Sequence, residues 1–103
     1  DAICVLTHDP KFDVPAVIAA LATETGYIGA MGSRRTTEDR NDRLRAEGVT
    51  EAEIDRVRAP IGLDLGARTP EETAISICSE IIALRSGRSV TALKDTEGDI
   101  HRP

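Results

Sequence analysis

Apolar and polar positions fall in blocks along this chain, and the spacing inside each block predicts its element. Residues 2–6, AICVL, are apolar throughout, as in a strand covered on both faces within a parallel sheet. The polar stretch THDPKFD follows as a loop. Over 14–25 the apolar residues return at helical spacing, with Val14, Ile18, Leu21 and Ala22 on one face. Asp13 or Val14 stands near the cap of this helix, Pro15 falls in its first turn, and Gly26 suits its end. Residues 27–31, YIGAM, read as a second strand.

The segment 35–47 predicts a helix closed by Gly48, yet Leu44 and Ala46 are nearly all its apolar content. Such a helix is solvated, or its charges, Arg40, Asp42, Arg43 and Arg45, meet a partner. Thr50 and Glu53 have the spacing of a capping box, opening a short helix to Val57 that Ile54 and Val57 can anchor. Ile61, Leu63 and Leu65 then alternate with Gly62 and Asp64, as in a third, short extended segment. Thr69, Pro70 and Glu72 form a second helix start, cap, first-turn proline and capping-box acid. That helix runs to about Ser86, with Ile75, Cys78, Ile81 and Ile82 as its expected buried face. Residues 88–103 lack periodicity apart from SVTAL and are expected to form a tail.

The order strand–helix, strand–helix–helix, strand–helix predicts an α/β fold with parallel strands. Three strand–helix units correspond to half of a doubly wound, Rossmann-like sheet over residues 1–87, with the tail over 88–103. Three strands leave both sheet edges open, and the chain starts inside an apolar strand. Completion of the sheet by sequence upstream is therefore expected.

Composition narrows the function. At 103 residues the chain makes one domain, and with 2% aromatics its core must be aliphatic. A net charge of −5, with no interleaving of basic and aromatic residues, argues against nucleic acid as a partner. The longest apolar run, 16–22, is too short for a membrane span, and the start does not resemble a signal peptide. Cys4 and Cys78 have neither CxxC nor zinc spacing. Set among aliphatic residues, both are expected as buried free thiols in a reducing cytoplasm.

Ligands of open α/β sheets bind beyond the carboxyl ends of the strands. Three loops qualify: Thr7, His8 and Asp9; Gly32, Ser33, Arg34 and Arg35; and the GLDLGA loop with Gly62, Asp64 and Gly66. The second has a physical case for holding an anion. Gly32 lets backbone approach a ligand, Ser33 or Thr36 can cap the next helix, and that helix's first N–H groups favour negative charge. Arg34 and Arg35 add bidentate donors, although neighbours on a helix point about 100° apart, so one of them faces the site. Cations at a helix N-terminus are unfavourable without an anion, which makes the pair odd for a purely structural helix. The alternative is two solvated arginines that balance Glu38 and Asp39 nearby. His8 could donate to a ligand with Asp9 orienting it, or simply bond a backbone group. Asp64 could accept from a ligand or tie down a turn, and Gly62 and Gly66 serve backbone shape. No metal-ligand spacing surrounds His8. No nucleophile stands with an evident base, and P-loop, GxSxG and GxGxxG motifs are absent.

Together, VLTHD, YIGAMGSRRT and APIGLDLGARTPEETAISICSEIIA resemble the C-terminal domain of the XdhC/CoxI family, over roughly residues 2–86, with a GDIH tail similar to some members' endings. These are accessory factors for xanthine dehydrogenase and related molybdenum hydroxylases. The resemblance implies a Rossmann-like domain that binds molybdenum cofactor (molybdopterin), protects it and helps deliver its sulfurated form to the apo-hydroxylase. It also implies a cytoplasmic, often dimeric protein, some of whose relatives carry dehydrogenase names. The family's glycine-rich GAGH-type loop, its N-terminal domain and that domain's cysteine have no counterpart in this sequence, and neither Cys4 nor Cys78 takes that cysteine's role. Molybdenum cofactor is an anionic, phosphate-bearing pterin, so the GSRR loop suits it. The same loop would suit the pyrophosphate of NAD(P). The reading is therefore a cofactor-binding chaperone rather than a catalyst. The alternatives are an NAD(P)-binding oxidoreductase, or a sheet-edge and dimerisation element without a site of its own.

Overall fold

The computed structural model describes residues 1–7, 9–88 and 90–96. The elements run β1 (Ala2–Val5), α1 (Pro10–Leu21), β2 (Tyr27–Ala30), α2 (Arg34–Ala46), α3 (Glu51–Asp55), β3 (Val57–Arg58) and α4 (Pro70–Ser86), with a 3-10 turn at Leu93–Asp95. His8 and the GDIH tail lie outside the described residues.

The strands form one parallel sheet in the order β1-β2-β3. Cys4 registers with Gly29 and Val5 with Ala30, while Ile28 registers with Val57. The α/β architecture expected from the sequence is therefore present. The third strand is displaced, however: pairing falls on Val57–Arg58, upstream of the alternating ILL segment. Ile61 continues along β2 through one bond, its N–H donating to the Ala30 carbonyl at 3.1 Å. Beyond it, positive φ at Gly62 (+100°) and Gly66 (+71°) turns the chain out of strand geometry.

Successive residues of a strand face opposite sides. Ile28 and Ala30 join Val5, Val14, Val17, Ala20, Leu21, Leu44 and Ile54 in an aliphatic core. This core lies between the sheet and the layer of α1, α2 and α3. Tyr27 points the other way and meets Glu80 of α4, so α4 lies on the opposite face.

Most helix ends follow the sequence, but α3 stops at Asp55 and not at Val57, which pairs with Ile28 in β3. Ser33 caps α2 by accepting from the Thr36 N–H, and both capping boxes form, Thr50 with Glu53 and Thr69 with Glu72. Gly87 closes α4 in the left-handed conformation. The first helix differs from expectation. Asp9 caps it and Pro10 takes the first position, which places Pro15 inside the helix and ends it four residues before Gly26, at Ala22.

Three burial expectations are corrected. On α1 the covered side is Asp13, Val14, Val17, Ala20 and Leu21, whereas Ile18 and Ala22 are exposed. On α4 the covered residues are Ser76 and Glu80, whereas Ile75 and Ile82 stay 61% and 56% exposed. Cys4 and Cys78 are both exposed rather than buried. One reason serves α4 and Cys78: α4 meets the sheet and the GLDLGA loop through polar groups, so Ile75, Ile82 and Cys78 stay exposed.

Candidate functional site

Parallel pairing places the carboxyl ends of all three strands at one edge. Backbone bonds stitch that edge together: the Met31 N–H donates to the Val5 carbonyl at 2.9 Å, and Ile61 N–H to the Ala30 carbonyl. The beginnings of the three candidate loops are thereby brought side by side.

The central loop is shaped by Gly32, whose φ of +142° is rarely adopted by L side chains. A Cβ there would stand 3.0 Å from Thr36 and 3.3 Å from the guanidinium of Arg40. Ser33 Oγ accepts from the Thr36 N–H at 3.1 Å, and the Thr37 hydroxyl donates to the Ser33 carbonyl at 2.9 Å. The first-turn N–H groups of Arg34 and Arg35 have no intrahelical acceptor and point outward. Both arginine side chains are exposed, and among the described residues neither forms an ion pair. The loop thus presents an exposed cationic pair at the positive end of a thirteen-residue helix.

Beneath this loop lies a buried pair that sequence reasoning missed. Arg40, 2% exposed, donates from Nη2 to the Met31 carbonyl at 2.7 Å and meets Asp13 Oδ2 at 3.3 Å. Arg40 is therefore not one of the outward charges of α2; Arg45 is, pairing with Asp42 and Glu51. The available signal was spacing: Thr37, Arg40 and Leu44 share one helical face, and Leu44 is fully buried.

The third loop is fixed by α4. Glu80 accepts from the Tyr27 hydroxyl at 2.7 Å and from the Gly62 N–H at 3.1 Å, with Arg58 3.6 Å away. Burial, reinforced by the bond to Glu80, pushes the Tyr27 phenol far above its ordinary range, so it stays a neutral donor. The Ser76 hydroxyl donates to the Leu63 carbonyl at 2.6 Å. A Cβ at Gly62 would stand 2.5 Å from Ser76 Oγ.

Of the other residues expected at this edge, Thr7 is exposed just beyond β1, and Asp9 spends its carboxylate on the Lys11 N–H as the α1 cap. Asp64 and Gly66 are exposed in the third loop, where Leu65 N–H folds back to the Leu63 carbonyl at 2.9 Å. Among the described residues no cluster of three or more His, Cys, Asp or Glu could hold a metal ion. Partial burial, with Cys78 adding to it, pushes the Cys4 thiol up, away from thiolate chemistry. A cavity of about 300 Å³ near Thr25, Gly26, Asp55 and Arg56 lies at the opposite, amino end of the strands.

A sequence model of the XdhC Rossmann domain matches residues 1–81. The chain belongs to that family. This XdhC-type domain is 33% identical over 84 residues to the molybdenum cofactor insertion chaperone PaoD of Escherichia coli (strain K12), covering 82% of the chain and 26% of PaoD. Over 85 residues it is 33% identical to a probable xanthine dehydrogenase subunit of Bacillus subtilis (strain 168), covering 82% of the chain and 24% of that protein. Its fold matches the crystal structure of a xanthine dehydrogenase from Bacillus halodurans with a TM-score of 0.65 and 32% identity, over 87% of the chain and 25% of that one. The XdhC-type chain thus spans about a quarter of the length of these relatives. Among its described residues no helix is long and apolar enough to cross a membrane.

Proposed function

We propose that this chain grips the anionic end of molybdenum cofactor at the carboxyl edge of its sheet, as part of an accessory protein that helps sulfurate the cofactor and insert it into a molybdenum hydroxylase apoenzyme. The observation that carries this reading is the Gly32–Arg35 loop. Two exposed arginines, neither in an ion pair among the described residues, stand where the α2 N–H groups emerge. An anion supplies what that arrangement lacks. Relatives named as a cofactor insertion chaperone and a xanthine dehydrogenase subunit supply the chemical class.

The fit is good on this chain's own terms. Gly32 leaves the backbone bare where a Cβ would press on Thr36 and Arg40. Ser33, Arg34 and Arg35 would hold the phosphate or oxo groups of the cargo. Thr7, Asp9, Gly62, Asp64 and Gly66 flank it on the neighbouring loops. Binding and orientation are the work assigned here, in a cytoplasmic homodimer, without turnover.

The outer face of β1, with Cys4 and Leu6 exposed, and the aliphatic side of α4 are assigned to contact with the upstream half of the same Rossmann domain. Parallel sheets are covered on both faces, so these surfaces suit that use.

The test is a titration with molybdenum cofactor and, separately, with NAD(P)H, on the unaltered protein and on the double variant Arg34→Ala, Arg35→Ala. Cofactor binding that weakens in the variant supports the reading. Binding of NAD(P)H alone would replace it with an oxidoreductase whose loop holds a pyrophosphate. Binding of neither would leave the chain a sheet-edge and dimerisation element.

A further inference from the structure

We infer that Arg40 and Asp13 are a positioning pair that holds the Gly32–Arg35 loop and the start of α1 in one rigid cradle, an inference that rests on the loop being the anion site. The pair is badly arranged to stabilise the fold. Both side chains are 2% exposed, and they share a single contact at 3.3 Å, longer than a good charge-assisted bond. Among the described residues, Asp13 Oδ1, Arg40 Nε and Arg40 Nη1 are buried without a partner. Burying two charges with so few bonds is costly, and well-packed apolar residues commonly do as well or better at such positions.

What the pair does is geometric. The Met31 N–H is tied to the Val5 carbonyl at 2.9 Å, and the Met31 carbonyl is tied to Arg40 at 2.7 Å. With both ends fixed, the peptide leading into Gly32 has one orientation, and Gly32 takes φ of +142°. Asp13 sits in the first turn of α1, directly below the Asp9 cap, so the same guanidinium also sets how that helix meets the loop. Arg40 is covered by Gly32 and touches no ligand space itself; it acts through the backbone it holds.

The test separates stability from geometry. In the full chain, Asp13→Leu with Arg40→Met should leave the thermal midpoint unchanged or higher. It should speed hydrogen exchange of the Met31 amide at least tenfold relative to that of Ile28, and weaken molybdenum cofactor binding at least tenfold. An intact fold with Met31 exchange as in the unaltered chain would overturn the inference. Should the double variant not fold, Arg40→Lys decides. Lysine keeps the charge, but its nitrogen ends one atom short of Nη2, which holds the Met31 carbonyl, so Met31 exchange should again rise, and unaltered exchange would count as refutation. If the unaltered chain binds no cofactor, the proposed function fails, while the exchange of Met31 still decides whether the pair orders the loop.

Discussion

The Tyr27 hydroxyl donates to Glu80 at 2.7 Å across 53 residues of sequence, and the same carboxylate oxygen takes the Gly62 N–H. One buried acid therefore ties β2, α4 and the third loop together. Replacing Tyr27 by Phe removes a bond to a charged acceptor, with an expected loss of about 1.5–3 kcal/mol in urea unfolding. Glu80→Leu should cost more, because it strands both donors. A Tyr27→Phe variant as stable as the parent would show that Glu80 is held adequately by Gly62 and Arg58.

Gly32→Ala should destabilise the chain and weaken anion binding together. The φ of +142° is strained for alanine, and the new methyl would meet Thr36 and Arg40. A cost of about 1–3 kcal/mol is expected for holding that backbone state. The measurement is a melt beside a cofactor titration. Affinity unchanged alongside a lowered midpoint would remove Gly32 from the site and leave it a purely structural residue.

Arg34 and Arg35 should not contribute equally. They occupy the first two helical positions, about 100° apart around the axis. Single substitutions to alanine should divide into one that costs about 1.5–3 kcal/mol of binding and one that costs little. Equal losses would mean that the ligand spans both directions and is larger than a single phosphate group.

The start of α4 should be sensitive to acid. Glu72 accepts from the N–H groups of Arg68 and Thr69 at 2.9 and 3.1 Å, and these bonds hold its carboxyl below its ordinary value of 4.5. A carboxyl depressed in the folded state stabilises fully above its unfolded pKa. That contribution fades as the pH falls below 4.5 and through the lower folded value. Chemical shifts of the first turn of α4 followed down to about pH 3 should show it fraying, and Glu72→Gln should abolish that step. A first turn indifferent to pH in the parent would assign the cap to Thr69 alone.

Much of this was legible in the sequence because local rules governed it. Ser33, Thr50 and Thr69 cap their helices, and the parallel order of strands follows from their alternation with helices. The GSRR loop falls at the strand end where its composition had placed it. What was hidden depended on partners distant in sequence. Ile75 and Ile82 look like a core face, yet α4 docks through Ser76 and Glu80, because Tyr27, Gly62 and Leu63 offer it hydrogen bonds. Arg40 looks like one more surface charge until α1 brings Asp13 beneath it. Polar contacts across long separations leave no periodic trace unless an apolar neighbour such as Leu44 or Val17 marks the same face.

β1 lies at the margin of the sheet, so one side of its Ala2–Val5 backbone pairs with no strand among the described residues. It contains neither the lysine nor the proline that commonly blunts such a margin, and Cys4 and Leu6 are exposed along it. A bare strand of this kind templates other extended chains. Self-association of the isolated chain should thus grow with protein concentration while its helices are still folded, and dilution should relieve it more effectively than cooling.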